Sequence, residues 1–276
     1  MEPAASKWPL MVSVGNHEYD YTKEGDESKD PSGPDGPYEP RWGNYGLDSG
    51  GECGVPTAKR FHMPETGNGV FWYSYDSGLV HTIVLSTEHD LSLHSRQRQW
   101  LVEDLMSVDR SRTPWVVLEV HRPLYEGEAI WANNNVGIAL RMEVEDVLYD
   151  FRVDIVLAGH YHAYHRTYVG VGTLWRPQSL SSLFYCRCDG LYRDVCNQEG
   201  PVHLTIGTAG ARLDAANVNL LDESWTENMI LQTYGYGRIT VYNATALHFQ
   251  FIQHGSSDDA SAGKVLDEIW IKRERS

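Results

Sequence analysis

Four histidines and one asparagine stand where they could hold a metal ion. Asn16 and His17 lie in Gly-Asn-His-Glu (15–18), His121 in His-Arg-Pro (121–123), and His160 and His162 in Gly-His-Tyr-His (159–162). Imidazole nitrogen and amide oxygen together suit borderline transition ions such as Zn, Fe or Mn. A single histidine after a strand is more often an ordinary polar residue, and Asn16 after Gly15 has the composition of a plain turn. Each of the three places, however, follows a short apolar run. Three such coincidences in one chain favour ligation over the plain reading. Gly159 permits a sharp turn, so His160 and His162 can face one cavity.

The runs that must position these residues are 10–14 (LMVSV), 115–120 (WVVLEV) and 153–158 (VDIVLA), with 81–85 (HTIVL) before Ser-Thr-Glu-His-Asp. Each is predicted to be a buried strand. Two helices are expected between them. One covers 95–108, with Trp100, Leu101, Leu105 and Val108 on its apolar face. The other covers 138–151, where Leu140, Val144, Val147, Leu148 and Phe151 recur every three or four residues. Strands alternating with helices imply crossover connections and an α/β sheet. Ligand sites in such sheets form outside the carboxyl ends of the strands, where all three motifs fall. Residues 20–68 are rich in Gly, Pro, Asp and Ser and read as a long loop. After Pro201 the chain is expected to be β-rich, with a hairpin around Asn243 and a final edge strand at 264–273.

With 276 residues and 41% apolar side chains, the chain can build one substantial core. Its formal net charge of −15 argues against nucleic acid or anionic membrane surfaces as partners. A small anion would need a local cation to overcome that field. No run approaches the roughly 20 apolar residues of a membrane-spanning helix, and no signal peptide is visible at the start. Cys53, Cys186, Cys188 and Cys196 allow two disulfides in three connectivities, and the spacing of the last three matches no standard zinc pattern. Asn243-Ala-Thr245 is an N-glycosylation sequon.

The strand-end motifs resemble the last three of the five metallophosphoesterase motifs, and the longer matches resemble purple acid phosphatases. These matches are DSGGECGVP (48–56), FWYSYDSG (71–78), STEHD (86–90), QRQWLVEDL (97–105), GHYHAYHRT (159–167) and PVHLTIGTAG (201–210). They extend over nearly the whole chain apart from about 168–199. The resemblance implies an α/β fold with a layered β-sheet sandwich flanked by helices, incomplete at the N-terminus. Residues 1–200 would be the catalytic portion, and 201–276 a β-rich region packed on it. It implies hydrolysis of small phosphate esters at a binuclear centre of Fe(III) plus Zn, Mn or Fe(II). Asn16, His121 and His160 would bind the divalent ion and His162 the ferric ion. His17 would lie beside the leaving ester oxygen. A secreted or vacuolar location is implied as well. Two family motifs, Gly-Asp-x-Gly and Gly-Asp-x-x-Tyr, belong before GNHE, but residues 1–15 contain no Asp. The expectation is therefore an N-terminally truncated chain with an incomplete centre, or alternatively a non-catalytic remnant that binds at most one metal. The family commonly has Glu where His165 stands, and 169–187 match nothing in it.

Overall fold

The computed structural model describes residues 6–19, 30–36, 38–40, 53–126, 131–167, 194–195, 200–214, 226–255 and 261–273, with only the backbone of 131–134 and 194–195. Cys186, Cys188, Cys196, the 169–187 stretch and much of the 20–68 loop lie outside the described residues.

Among the described residues, seven strands form the first sheet: β1 (Tyr73–Ser77), β2 (Val80–Val84), β3 (Trp115–Val120), β4 (Ile155–Ala158), β5 (Tyr164–Thr167), β7 (Val202–Ile206) and β8 (Thr226–Ile230). Their order is β1-β2-β3-β4-β7-β5-β8, and β2, β3, β4 and β7 run parallel. The second sheet has the order β6-β11-β10-β9, from β6 (Asp194–Val195), β9 (Gly235–Asn243), β10 (Ala246–Gln253) and β11 (Val265–Lys272). The first sheet does not stop near residue 200. After that point the chain contributes β7 and β8 to it before building most of the second sheet.

The side chains of β3 explain the layering. Successive residues of a strand point to opposite faces. Trp115 and Val117 join Ile155, Tyr164, Val202 and Leu204 against Leu247, Phe249, Phe251, Ile269 and Ile271 of the second sheet. Val116, Leu118 and Val120 face the other way, towards Leu101, Leu105, Leu140, Val144 and Leu148. The result is helices, sheet, sheet. Among the described residues the α-helices are α1 (Val55–Arg60), α2 (Arg96–Ser107) and α3 (Trp131–Asp150). The Ser95 hydroxyl caps α2 by accepting from the Arg98 N–H. Two buried ion pairs help fix the layers. Asp267 on β11 takes a bidentate guanidinium from Arg166 on β5 (2.6 and 3.1 Å), plus the Tyr164 hydroxyl (2.6 Å). Asp154 accepts from the Val116 N–H at 2.8 Å and pairs with Arg110 and Arg273.

Three expectations need correction. Residues 10–14 form no strand. They lie outside regular secondary structure; the Val12 carbonyl accepts from the Tyr73 hydroxyl at 2.7 Å, and among the described residues no neighbouring strand pairs with the segment. Apolar composition suited the segment to a sheet, but a strand also needs a partner ladder. Nor is β11 an edge strand: β10 flanks it on one side and the two residues of β6 on the other. β6 carries no apolar periodicity that would announce it. The helix expected at 138–151 begins at Trp131 instead, because Asn133–Asn135 and Gly137 hide its first turns from a propensity reading.

Candidate metal centre

β3 and β4 pair in parallel with Val120 opposite Ala158. Both therefore end at the same edge, and the Gly159 N–H continues the ladder to the His121 carbonyl at 3.0 Å. His121 and His160 become neighbours by this register alone. His160 sits at φ +60°, a left-handed backbone uncommon for a residue with a side chain. Such strain persists where the surroundings over-determine it, typically at functional sites.

Asn16 arrives from elsewhere in the chain. The Glu18 and Tyr19 N–H groups return to the Gly15 carbonyl at 3.1 and 2.9 Å, and the Glu18 carboxylate accepts from the Gly15 N–H at 3.0 Å. Buried Tyr19 anchors this turn. Its hydroxyl donates to Asp30 at 2.7 Å, accepts from the Tyr38 N–H at 3.0 Å, and its ring packs on Phe71 and His89. Gly15 is required by close approach: a Cβ there would lie 2.7 Å from the His121 ring.

Three donor atoms converge. His121 Nε2 lies 2.5 Å from Asn16 Oδ1, His160 Nδ1 lies 3.0 Å from the same oxygen, and the two nitrogens are 3.1 Å apart. These contacts cannot all be hydrogen bonds. If both nitrogens carry hydrogen, two N–H groups face each other. If only one does, the other aims a lone pair at the amide oxygen. A cation among them satisfies all three. Ligand bonds of about 2.1 Å at right angles put donors about 3.0 Å apart, so two of the three spacings already fit and the third must open slightly. Burial first, and then the neighbouring His160 ring and the Arg122 guanidinium, hold the His121 imidazole well below its usual pKa; burial and then Arg122 bring His160 to about 3. Both rings are thus neutral and able to ligate.

His162 is held separately. Its ring Nδ1–H donates to the Arg212 carbonyl (2.9 Å), which leaves Nε2 with a lone pair, as in metal-bound histidines whose other nitrogen is tied to a carbonyl. Its backbone N–H donates to Asp214 at 2.8 Å. Gly207 makes this possible, because a Cβ there would fall 1.8 Å from the Tyr161 carbonyl oxygen. His17 is exposed and outside the three-atom contact. His165 is buried away from it and bonded to the Thr226 hydroxyl at 2.9 Å; burial above all lowers its pKa to about 4. Asn243 sits at the β9–β10 turn, where its Oδ1 accepts from both the N–H and the hydroxyl of Thr245 at 2.8 and 2.9 Å.

Sequence reasoning passed over the shell behind His160. Arg122 is buried, pairs with fully buried Glu88 at 2.7 Å, and brings Nη1 to 3.5 Å from His160 Nε2. The HRP and STEHD stretches held these residues, but only as ordinary members of a motif. Among the described residues, no three His, Cys, Asp or Glu side chains are grouped to hold a metal ion; the converging set has an amide as its third donor, and no carboxylate joins it.

Comparison with known proteins gives the family. The family model "Calcineurin-like phosphoesterase" matches residues 2–164, and "Iron/zinc purple acid phosphatase-like protein C" matches 200–268. The probable inactive purple acid phosphatase 9 of Arabidopsis thaliana is 35% identical over 228 residues, covering 76% of this chain and 30% of that protein. Purple acid phosphatase 22 of the same plant is 31% identical over 271 residues, covering 98% of this chain and 51% of that protein. The chain thus spans about half or less of the length of these relatives. The structure of purple acid phosphatase PPD1 from yellow lupin seeds superposes with a TM-score of 0.73 at 29% identity, over 99% of this chain and 42% of that one. With both family models matched in order and the GNHE, HRP and GHYH residues brought to one sheet edge, the chain belongs to the calcineurin-like phosphoesterases, in their purple acid phosphatase branch.

Proposed function

We propose that this chain carries the divalent-metal half of a phosphate-ester hydrolase, with Asn16 Oδ1, His121 Nε2 and His160 Nδ1 as ligands. The convergence of these atoms within 2.5–3.1 Å carries the reading. His162 would serve the second ion of a binuclear centre, Fe(III) beside Zn, Mn or Fe(II). Such ions, when bound, neutralise charge on a phosphoryl group and lower the pKa of a bound water. The chain's own residues do the rest. His17, exposed on the turn that carries Asn16, donates a proton to the leaving oxygen of a small phosphate ester. Asp214 and the Arg212 carbonyl fix the direction of His162. The acidic chain, with net charge −15, leaves substrate attraction to this local site. A secreted or vacuolar setting belongs to the same reading.

The test is titration of the purified chain with Zn2+ or Mn2+, by calorimetry and thermal shift, alongside p-nitrophenyl phosphate turnover at acid pH. His121→Ala or His160→Ala should abolish metal-induced stabilisation, whereas His165→Ala should retain it. His17→Ala should bind metal normally and lose roughly 10²–10⁴-fold in turnover. Undiminished stabilisation in His121→Ala would sink the ligand assignment.

A second reading is a non-catalytic module that binds one metal. It is supported by the lack of a carboxylate among the converging donors of the described residues. Stoichiometric binding of one metal without turnover would select it.

A further inference from the structure

His160 can ligate through Nδ1 only when Nε2 carries the ring hydrogen. Metal-bound histidines normally donate that second N–H to a carboxylate, a carbonyl or a water. Here Nε2 faces a donor instead, Arg122 Nη1 at 3.5 Å. With a metal on Nδ1, two N–H groups would confront one another. Without one, Arg122 can donate to Nε2 while Nδ1 keeps its hydrogen and points it at Asn16. The gap lined by Arg122, Pro123, Glu126, Val136 and His160 has no room for a water to mediate. Nor can Arg122 easily turn away. Its Nε and Nη2 are bonded to Glu88 at 2.7 and 3.3 Å, its backbone N–H donates to the Thr87 hydroxyl at 3.1 Å, and both charged side chains are buried.

We propose that Arg122 restrains this half-site: it holds His160 through Nε2 in the arrangement that withholds Nδ1 from a metal, and a divalent ion binds only by displacing that contact. The inference rests on the ligand assignment made above and adds that the assigned site binds more weakly than its three donors would by themselves. The Arg122 guanidinium, 3.5 Å from the His160 ring, also repels a dication on that ring by its charge.

Arg122→Gln supplies an amide oxygen able to accept from His160 Nε2–H. Measured by calorimetry with Zn2+ alone, this variant should bind about tenfold or more tightly than the unmodified chain, the scale on which such outer partners act. Arg122→Met, which keeps apolar bulk and removes the donor, should tighten binding in the same direction and serves if the Gln variant does not fold. Arg122→Lys, still a cationic donor, should stay near the unmodified affinity. Equal or weaker binding in folded Arg122→Gln or Arg122→Met overturns the proposal. His121→Ala separates the two levels. If it abolishes Zn2+ binding while the Arg122 variants change nothing, only the restraint fails. If it binds Zn2+ as well as the unmodified chain, the ligand assignment fails with it.

Discussion

Replacing Gly15 by alanine would place a methyl group 2.7 Å from Nδ1 and Cε1 of the His121 ring and 2.9 Å from its Cγ. Carbon contacts are comfortable only at about 3.5–4.0 Å, so the ring must retreat by about 0.8 Å or rotate. Either movement carries Nε2 out of the position where it meets Asn16 Oδ1 and His160 Nδ1. Metal–ligand distances tolerate only about 0.2 Å. The expected loss is about 10–100-fold in Zn2+ affinity, equivalent to about 1.4–2.7 kcal/mol. The metal-free protein should lose about 1–3 kcal/mol from overpacking, a drop of roughly 2–10 °C in Tm for a chain of this size. Gly159→Ala is the matched control. Its Cβ would stand 3.8 Å from His121 Nδ1, an ordinary contact, so metal affinity should stay close to that of the unmodified protein. Calorimetric titration of both variants with Zn2+, each with its metal-free melting curve, makes the comparison. Equal affinities in the unmodified protein and in folded Gly15→Ala would refute the claim that the His121 ring, held against Gly15, is a ligand.

Asp267→Ala leaves Arg166 buried without its carboxylate and should cost about 3–5 kcal/mol in urea unfolding; a loss below about 1 kcal/mol would mean that water replaces the carboxylate. His81 has both ring nitrogens on carboxylates, Asp76 at 2.7 Å and Asp104 at 2.8 Å. Burial lowers its pKa, but the hydrogen bonds to Asp104 and Asp76 outweigh burial and raise it. A raised folded pKa stabilises fully below the unfolded value of about 6.5, and that contribution is lost as pH rises through the folded value. Urea midpoints should therefore fall between pH 6 and pH 9 more in the unmodified protein than in His81→Gln, and parallel curves would contradict the clamp. The exposed Asn243 turn, already bonded to Thr245, should accept an N-glycan on expression through a secretory route; intact mass before and after amidase treatment reads this, with Asn243→Gln as the blank.

Much of the local structure was legible in the sequence. The 115–120 run gave a strand of those same bounds, Ser95 announced the start of α2, and alternation around Asn243 marked the hairpin. So did the placement of His121 and His160 just beyond strands, because apolar period and strand length are properties of neighbouring residues. The 10–14 segment shows the limit: five suitable residues, yet no ladder among the described ones.

What the tertiary structure decided was partnership. Pairing of Val120 with Ala158 made His121 and His160 adjacent across 39 positions, and the Gly15 turn brought Asn16 to them across more than 100. β7 entered the sheet between β4 and β5, and β6 covered β11. Arg122 reached behind His160 because Glu88, 34 positions earlier, was buried at its side. A period of two or of 3.6 says which face of an element is apolar. It carries no label for the distant segment that will cover that face, and that choice is made by packing and hydrogen-bond satisfaction over the whole sheet.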